Sequence, residues 1–186
     1  MRIIAGELRG RPLSAPAGAA TRPTSDRARQ AVFNILEHAP WSDGIAAGRV
    51  LDLFAGSGAM GVEALSRGAA FALFVETAEP ALAAIRANLD ALGVAARARL
   101  LKQDAARLGR RPGDFEPFGL ALLDPPYGKG LGETALAALH AGGWLQAGAV
   151  AVLERKAGET GAPPLGYEVL DQRRYGVAEA LFLRAV

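Results

Sequence analysis

Cysteine is absent from the 186 residues. That excludes disulfides, thiolate-held zinc or iron–sulfur sites, and any thiol nucleophile. Histidine occurs only at His38 and His140, too few for a multi-histidine metal centre or a histidine proton relay, so no metal is expected. Lysine is nearly missing too: with only Lys102, Lys129 and Lys156 present, arginine carries almost all of the positive charge. No run of eighteen apolar residues occurs anywhere, and no bilayer-spanning segment is expected. The opening Ile3-Ile4-Ala5 is broken by Gly6 and Glu7, too short for the apolar core of a leader peptide. The expected location is the cytoplasm. Glycine (23) and proline (11) stay below the low-complexity range.

What is present is a composition that can bury a core: 51% hydrophobic and 22% charged residues over a length suited to about one domain. The net charge of +2 is small but uneven. Arg2, Arg9, Arg11, Arg22, Arg27 and Arg29 face only Glu7 and Asp26 within the first 30 residues, a local +4, and the remainder carries −2. A basic arm on a near-neutral body hints at a polyanionic partner. The division expected is a basic arm over residues 1–23, with a β-hairpin from Arg2–Ala5 and Arg11–Leu13, and an α/β domain over residues 24–186.

That domain opens with a helix capped by Thr24 or Ser25. Its apolar residues Ala28, Ala31, Val32, Ile35, Leu36 and Ala39 follow helical spacing up to Pro40. Beyond Arg49, the short apolar runs Val50–Phe54, Phe71–Val75, Ala98–Leu101, Phe118–Leu123 and Ala149–Leu153 predict strands covered on both faces. Helical stretches Ala59–Arg67, Pro80–Leu92 and Leu131–His140 lie between them. This alternation predicts a Rossmann-like, doubly wound, mostly parallel sheet. Tyr167–Arg173 and Ala178–Arg184 flank Tyr175-Gly176 with no helix between them, which predicts an antiparallel hairpin added to that sheet.

Gly56, Gly58 and Gly61 form a GxGxxG pattern between a strand and a helix, where glycine permits a sharp turn and close approach of a nucleotide. Glu76 closes the next strand, placed to accept ribose hydroxyls. These features alone fit either a nicotinamide dinucleotide or S-adenosylmethionine. Asp52 favours the second, because a carboxylate is unfavourable beside pyrophosphate and favourable beside a cationic amine and sulfonium. Asp104 adds an acceptor suited to an adenine amino group.

Asp124-Pro125-Pro126-Tyr127 follows the fourth run, at the sheet edge where ligands of open α/β sheets bind. Two prolines remove two donors and fix two φ angles. The Asp124 carboxylate and the Pro125 carbonyl then form a rigid acceptor pair for an exocyclic amine, with Tyr127 available to stack on a base.

Phe54-Ala55-Gly56-Ser57-Gly58 followed by Asp124-Pro125-Pro126-Tyr127 resembles the class I S-adenosylmethionine-dependent amino-methyltransferases. Three N-terminal stretches, Arg2–Gly6, Arg9–Arg11 and Arg22–Arg29 with Val32-Phe33-Asn34 behind, resemble the RsmD family of bacterial small-subunit rRNA guanine-N2 methyltransferases. So do Leu51–Gly61 and Glu63–Gly68. The resemblance implies that Asp52, Phe54, Ala55, Gly56, Ser57, Gly58, Glu76, Asp104 and Ala105 hold S-adenosylmethionine, and that Asp124, Pro125, Pro126 and Tyr127 form the target-amine site. It implies 16S rRNA as partner, within a small subunit or assembly particle, with Arg9, Arg11, Arg22 and Arg27 on its phosphates. No large apolar stripe in the sequence demands a dimer, and a monomer is expected. Arg22, Arg27 and Arg29 have an alternative, pairing with Asp26, the cofactor carboxylate or a structural acid. Three other readings stay open. A DNA adenine-N6 methyltransferase needs mass to read sequence that 186 residues do not leave. A nicotinamide oxidoreductase gives Asp-Pro-Pro-Tyr no role. A non-catalytic RNA-binding protein leaves the intact turn residues unexplained.

Overall fold

The computed structural model describes residues 1–16, 26–159 and 161–186. The expected cap at Thr24 or Ser25, and Arg22, lie outside the described residues. Helix α1 (Asp26–His38) precedes β1 (Arg49–Leu53), α2 (Ala59–Ser66), β2 (Phe71–Glu76), α3 (Glu79–Leu92) and β3 (Ala98–Lys102). Then come β4 (Phe118–Leu123), α4 (Leu131–Ala141), β5 (Leu145–Lys156), β6 (Tyr167–Tyr175) and β7 (Ala178–Ala185). One seven-stranded sheet has the order β3-β2-β1-β4-β5-β7-β6. The first five strands in chain order pair in parallel, and β7 runs antiparallel between β5 and β6. The predicted C-terminal hairpin is therefore present, and its second strand is the one that joins the sheet.

Alternation along the strands explains the two-layer cover. Val50, Leu120, Leu122, Val150 and Val152 point to the face packed by α1, α2 and α3 through Val32, Phe33, Leu36, Val62, Leu65, Ile85 and Leu89. Leu51, Leu53, Leu73, Leu123 and Leu153 point to the other face, against Leu136 and Leu139 of α4 and the aromatic group Phe115, Phe118 and Trp144. β1, β2 and β4 alternate between two buried faces, whereas β3 is covered only in part on each. It is an edge strand, with its residues half-buried or exposed; Arg99 and Lys102 turn outward to pair with Asp114 and Glu79. Leu100 packs toward the face covered by α1, α2 and α3 and Leu101 toward the other, each only half-buried because the strand lies at the sheet edge. β5 is longer than its apolar run: its regular pairing with β4 starts at Val150, and Glu154–Lys156 continue as partners of β7.

Residues 1–16 lie along α2 and α3. Arg2 bridges Pro12 in antiparallel fashion, and the Ile3 N–H donates to Arg11 O at 3.0 Å. A buried ionic group fastens this segment. The Glu63 carboxylate, fully buried on α2, accepts the Ile4 N–H at 2.8 Å, the Ala5 N–H at 3.0 Å and Arg67 Nε at 2.8 Å. Arg29, also fully buried, lies 3.7 Å from the same carboxylate and donates to Asp26 and to the Arg2 carbonyl. This is the structural-acid alternative for Arg29. The Glu7 N–H donates to Ser66 O at 2.8 Å, and a Cβ on Gly6 would fall 1.9 Å from that oxygen. Only glycine allows the approach. At the open end, Asn88 accepts the Ser14 N–H and donates to Ser14 O and Ser57 O, tying the arm to the glycine-rich turn.

Removing one member of a buried ionic group leaves its partners desolvated and unpaired. Glu63→Ala is expected to lower the unfolding free energy by about 3–5 kcal/mol and to open Arg2, Arg9 and Arg11 to trypsin. Urea titration and timed digestion measure both, and wild-type stability with a protected arm would contradict the fastening role.

Candidate active site

The sheet reverses its winding between β1 and β4, because β1 pairs with β2 on one side and β4 on the other. Ligand sites in open α/β sheets form at the carboxyl ends of strands flanking such a point. Asp52 lies one residue before the end of β1, and Asp124 directly follows β4.

The turn after β1 is built from backbone conformations that side chains rarely allow. Phe54 has φ 57°, Gly56 φ 56° and Gly58 φ 76°. Gly58 caps α2 without a side-chain hydrogen bond. That task falls to Asp52, whose Oδ2 accepts the Gly61 N–H at 2.8 Å from inside the sheet. Gly61 is needed for proximity: a Cβ there would lie 2.3 Å from Phe74 Cε1 and 3.0 Å from Asp52 Oδ2. The three glycines therefore do different things: Gly56 turns the chain, Gly58 turns it and starts the helix, and Gly61 lets the helix touch the sheet.

Asp52 is almost fully buried. Burial raises its carboxyl pKa well above the usual range, the Gly61 hydrogen bond opposes this, and the charges of Asp124 and Glu76 add to the rise. Glu76 spans the turn and the next helix. Its Oε2 accepts the Gly56 N–H at 2.9 Å, and its Oε1 accepts Thr77 N–H at 2.7 Å and Ala78 N–H at 3.0 Å. No lysine or arginine lies within 4.0 Å of either carboxylate among the described residues. Asp104, two residues past β3, accepts the Ala106 N–H at 2.9 Å and lies 3.8 Å from Arg107 Nε. Ala105 behind it is buried. Ala55 is buried, while Phe54 and Ser57 are partly exposed at the rim of the turn.

At the second motif, Pro125 is buried and Pro126 exposed. The Tyr127 hydroxyl donates to Glu154 Oε1 at 2.8 Å, and the Gly128 N–H donates to Glu159 Oε1 at 3.0 Å. An open cavity of about 400 Å³ lies beside Tyr127, lined also by Gly128, Lys156 and Glu159. A narrow slot of about 20 Å³ is lined by Asp52, Asp124 and Glu154 with Val32, Met60 and Ala180. It has room for one water-sized group. The two sequence motifs thus meet across one slot.

Sequence reasoning missed Glu154. Glu154 directly follows the apolar run Ala149–Leu153 as Asp124 follows Phe118–Leu123, a signal that gains meaning only once the strand order sets the two strands side by side. Glu63 opens the family-like stretch Glu63–Gly68 without its fastening role being legible there, and Asn88 stood in no pattern. Of the arginines assigned to RNA, Arg9 and Arg11 lie at the hairpin tip beside the C-terminal ends of α2 and α3. There Arg11 donates to Ala91 O at 2.9 Å. That end is remote from Asp124, because both helices start at the site edge and run away from it, α3 for about 20 Å. Arg27 is exposed at the start of α1.

The family model described as Conserved hypothetical protein 95 matches residues 1–184. The chain is 39% identical over 163 residues to the Ribosomal RNA small subunit methyltransferase D of Escherichia coli (strain K12), covering 88% of this chain and 78% of that protein. Against the Haemophilus influenzae protein of the same name the identity is 32% over 178 residues, or 95% and 90% of the two chains. The solved structure of Escherichia coli yhhF superposes with a TM-score of 0.83 at 32% identity, over 100% of this chain and 97% of that one.

A raised carboxyl pKa means that the folded protein holds the proton more tightly than the unfolded chain. Asp52 therefore costs stability as pH climbs from the usual carboxylate range through its folded value. Asp52→Asn is expected to melt higher than wild type at neutral pH, with the difference shrinking below about pH 4. Thermal melts across that range check the sign, and a lower melting temperature for the variant at neutral pH would contradict it.

Proposed function

The chain belongs to the RsmD family, and from that premise we propose that it methylates the exocyclic N2 amine of a guanine in 16S rRNA, using S-adenosylmethionine. The observation that carries this reading is the slot shared by Asp52, which belongs to the glycine-rich turn, and Asp124 of the Asp-Pro-Pro-Tyr turn. The named relatives support ribosomal RNA as the substrate class.

The turn residues fit an adenosyl sulfonium compound. A Cβ on Gly56 would meet nothing closer than 3.9 Å, so the turn leaves open space above its tightest point. Asp52 and Glu76 bring negative charge with no paired cation among the described residues, and a cationic ligand supplies the missing partner. Asp52, Phe54, Ala55, Gly56, Ser57, Gly58 and Glu76 would hold it, with Asp104 and Ala105 at the adenine end. When bound, S-adenosylmethionine supplies an electrophilic methyl carbon on a cationic sulfur that leaves as a neutral thioether.

The protein's own residues address the weakness of the nucleophile. The lone pair of an exocyclic guanine amine is delocalised into the ring. The Asp124 carboxylate and the Pro125 carbonyl accept its two N–H groups, turn the nitrogen toward the methyl carbon and stabilise the charge that grows there. The alkylated nitrogen is strongly acidic, and Asp124 offers an acceptor for the departing proton. Pro125 and Pro126 keep this pair rigid, because they donate no N–H and restrict the backbone of Asp124. Tyr127 supplies a face for the base, a contact worth about 1–3 kcal/mol. Arg9, Arg11, Arg22 and Arg27 would hold RNA phosphates away from the reacting base, within a small subunit or an assembly particle.

Asp124→Ala is expected to bind S-adenosylmethionine with wild-type affinity by calorimetry and to lose at least about 100-fold in methyl transfer to small-subunit RNA. Wild-type turnover would remove Asp124 from the chemistry. Neutralising Arg9, Arg11 or Arg27 is expected to flatten the salt dependence of RNA binding by about one unit each. An unchanged slope would take that arginine off the RNA.

A further inference from the structure

Glu154 stands at the centre of the site and has no role in the chemistry above. In the parallel pairing of β4 with β5, Leu122 faces Val152 and Leu123 faces Leu153. Continuing that register puts Asp124 beside Glu154, on adjacent strands and on the same face. The β5–β7 pairing sets Glu154 opposite Ala180, and both line the slot with Asp52 and Asp124. The bond from the Tyr127 hydroxyl to Glu154 Oε1, at 2.8 Å, fixes the carboxylate against the ring that faces the base. A carboxylate offers about four lone-pair positions and can accept from several donors at once.

We propose that Glu154 selects guanine by accepting the N1–H that lies next to the reacting amine. This deepens the guanine-N2 reading and rests on it. The donor pattern beside the exocyclic amine differs between the bases. In guanine, the exocyclic amine is flanked by N1–H, a donor. In adenine and cytosine, the ring nitrogen beside the exocyclic amine is an acceptor. Two carboxylates side by side, one for the amine and one for its neighbour, match guanine and repel the other two through lone-pair contact. Asp124 and Pro125 address an amine of any base; Glu154 makes the site specific. A site built to bond a particular N–H discriminates strongly against analogues that lack it.

The test uses small-subunit RNA in two forms that differ only at the target position, guanosine or 2,6-diaminopurine riboside. The analogue keeps the 2-amine and replaces N1–H with an acceptor. Wild-type protein is expected to methylate guanosine at least about tenfold faster. Glu154→Gln keeps an oxygen for Tyr127 and gains an N–H for the analogue's N1, so it is expected to narrow the ratio to about threefold or less. Its melting temperature and S-adenosylmethionine affinity should stay at wild-type values. Tyr127→Phe removes the phenol but keeps the carboxylate, and is expected to retain most of the wild-type ratio. Equal wild-type rates on both RNAs, equal loss by Glu154→Gln on both, or collapse of the ratio in Tyr127→Phe would each overturn the assignment. A label that wild type places on another nucleoside would overturn the guanine-N2 reading itself.

Discussion

The hydrogen bond from the Gly61 N–H to Asp52 is the constraint on which the site depends. It joins β1 to the first turn of α2 through a side chain, because Gly58, which caps the helix, has no side chain to offer. It also brings α2 so close to β2 that a single Cβ at Gly61 would strike the Phe74 ring. With that helix seated, the turn between Phe54 and Gly58 is held in its unusual conformation. The far end of the same helix carries Glu63 and Ser66, which fasten the N-terminal arm. One buried carboxylate thus serves the turn, the helix and, through the helix, the arm.

The arrangement costs stability on its own. Asp52 is buried and lies in the field of Asp124 and Glu76, all of one sign, and its proton affinity rises accordingly. A binding site for a cation has this character before the cation arrives, and local instability of this kind is a common accompaniment of function. The basic residues are kept elsewhere. Arg29 and Arg67 are consumed in the core by Glu63, while Arg9, Arg11 and Arg27 stay at the surface. The uneven charge read from the sequence is thus only partly an outer surface, since one of the six early arginines is structural.

Most of the fold was legible because its strands are short continuous apolar runs separated by helices with clear apolar faces. Each run falls within an observed strand or overruns its end by one residue: Phe118–Leu123 coincides with β4, and Val50–Phe54 extends one residue past β1. β3 was less legible, since an apolar run does not say whether its strand will lie inside the sheet or at its edge. The glycine-rich turn and the Asp-Pro-Pro-Tyr turn were readable because backbone constraint demands particular residues there. Glu154 was not, since an acid after a strand becomes meaningful only when strand order places it beside Asp124. Glu63 was hidden for a similar reason: its partners are backbone N–H groups about 58 positions away in the chain, and they leave no trace in composition or spacing.

The identity of the product nucleoside decides whether this protein transfers the methyl of S-adenosylmethionine to guanine N2 in ribosomal RNA. Methyl-labelled S-adenosylmethionine is supplied with the protein to separate pools of naked small-subunit rRNA, assembled small subunits and DNA, and each pool is digested to nucleosides for mass analysis. Label is expected in N2-methylguanosine from an RNA-containing pool and in no nucleoside from DNA. Label in N6-methyladenine from DNA, or no label in any pool, would contradict it.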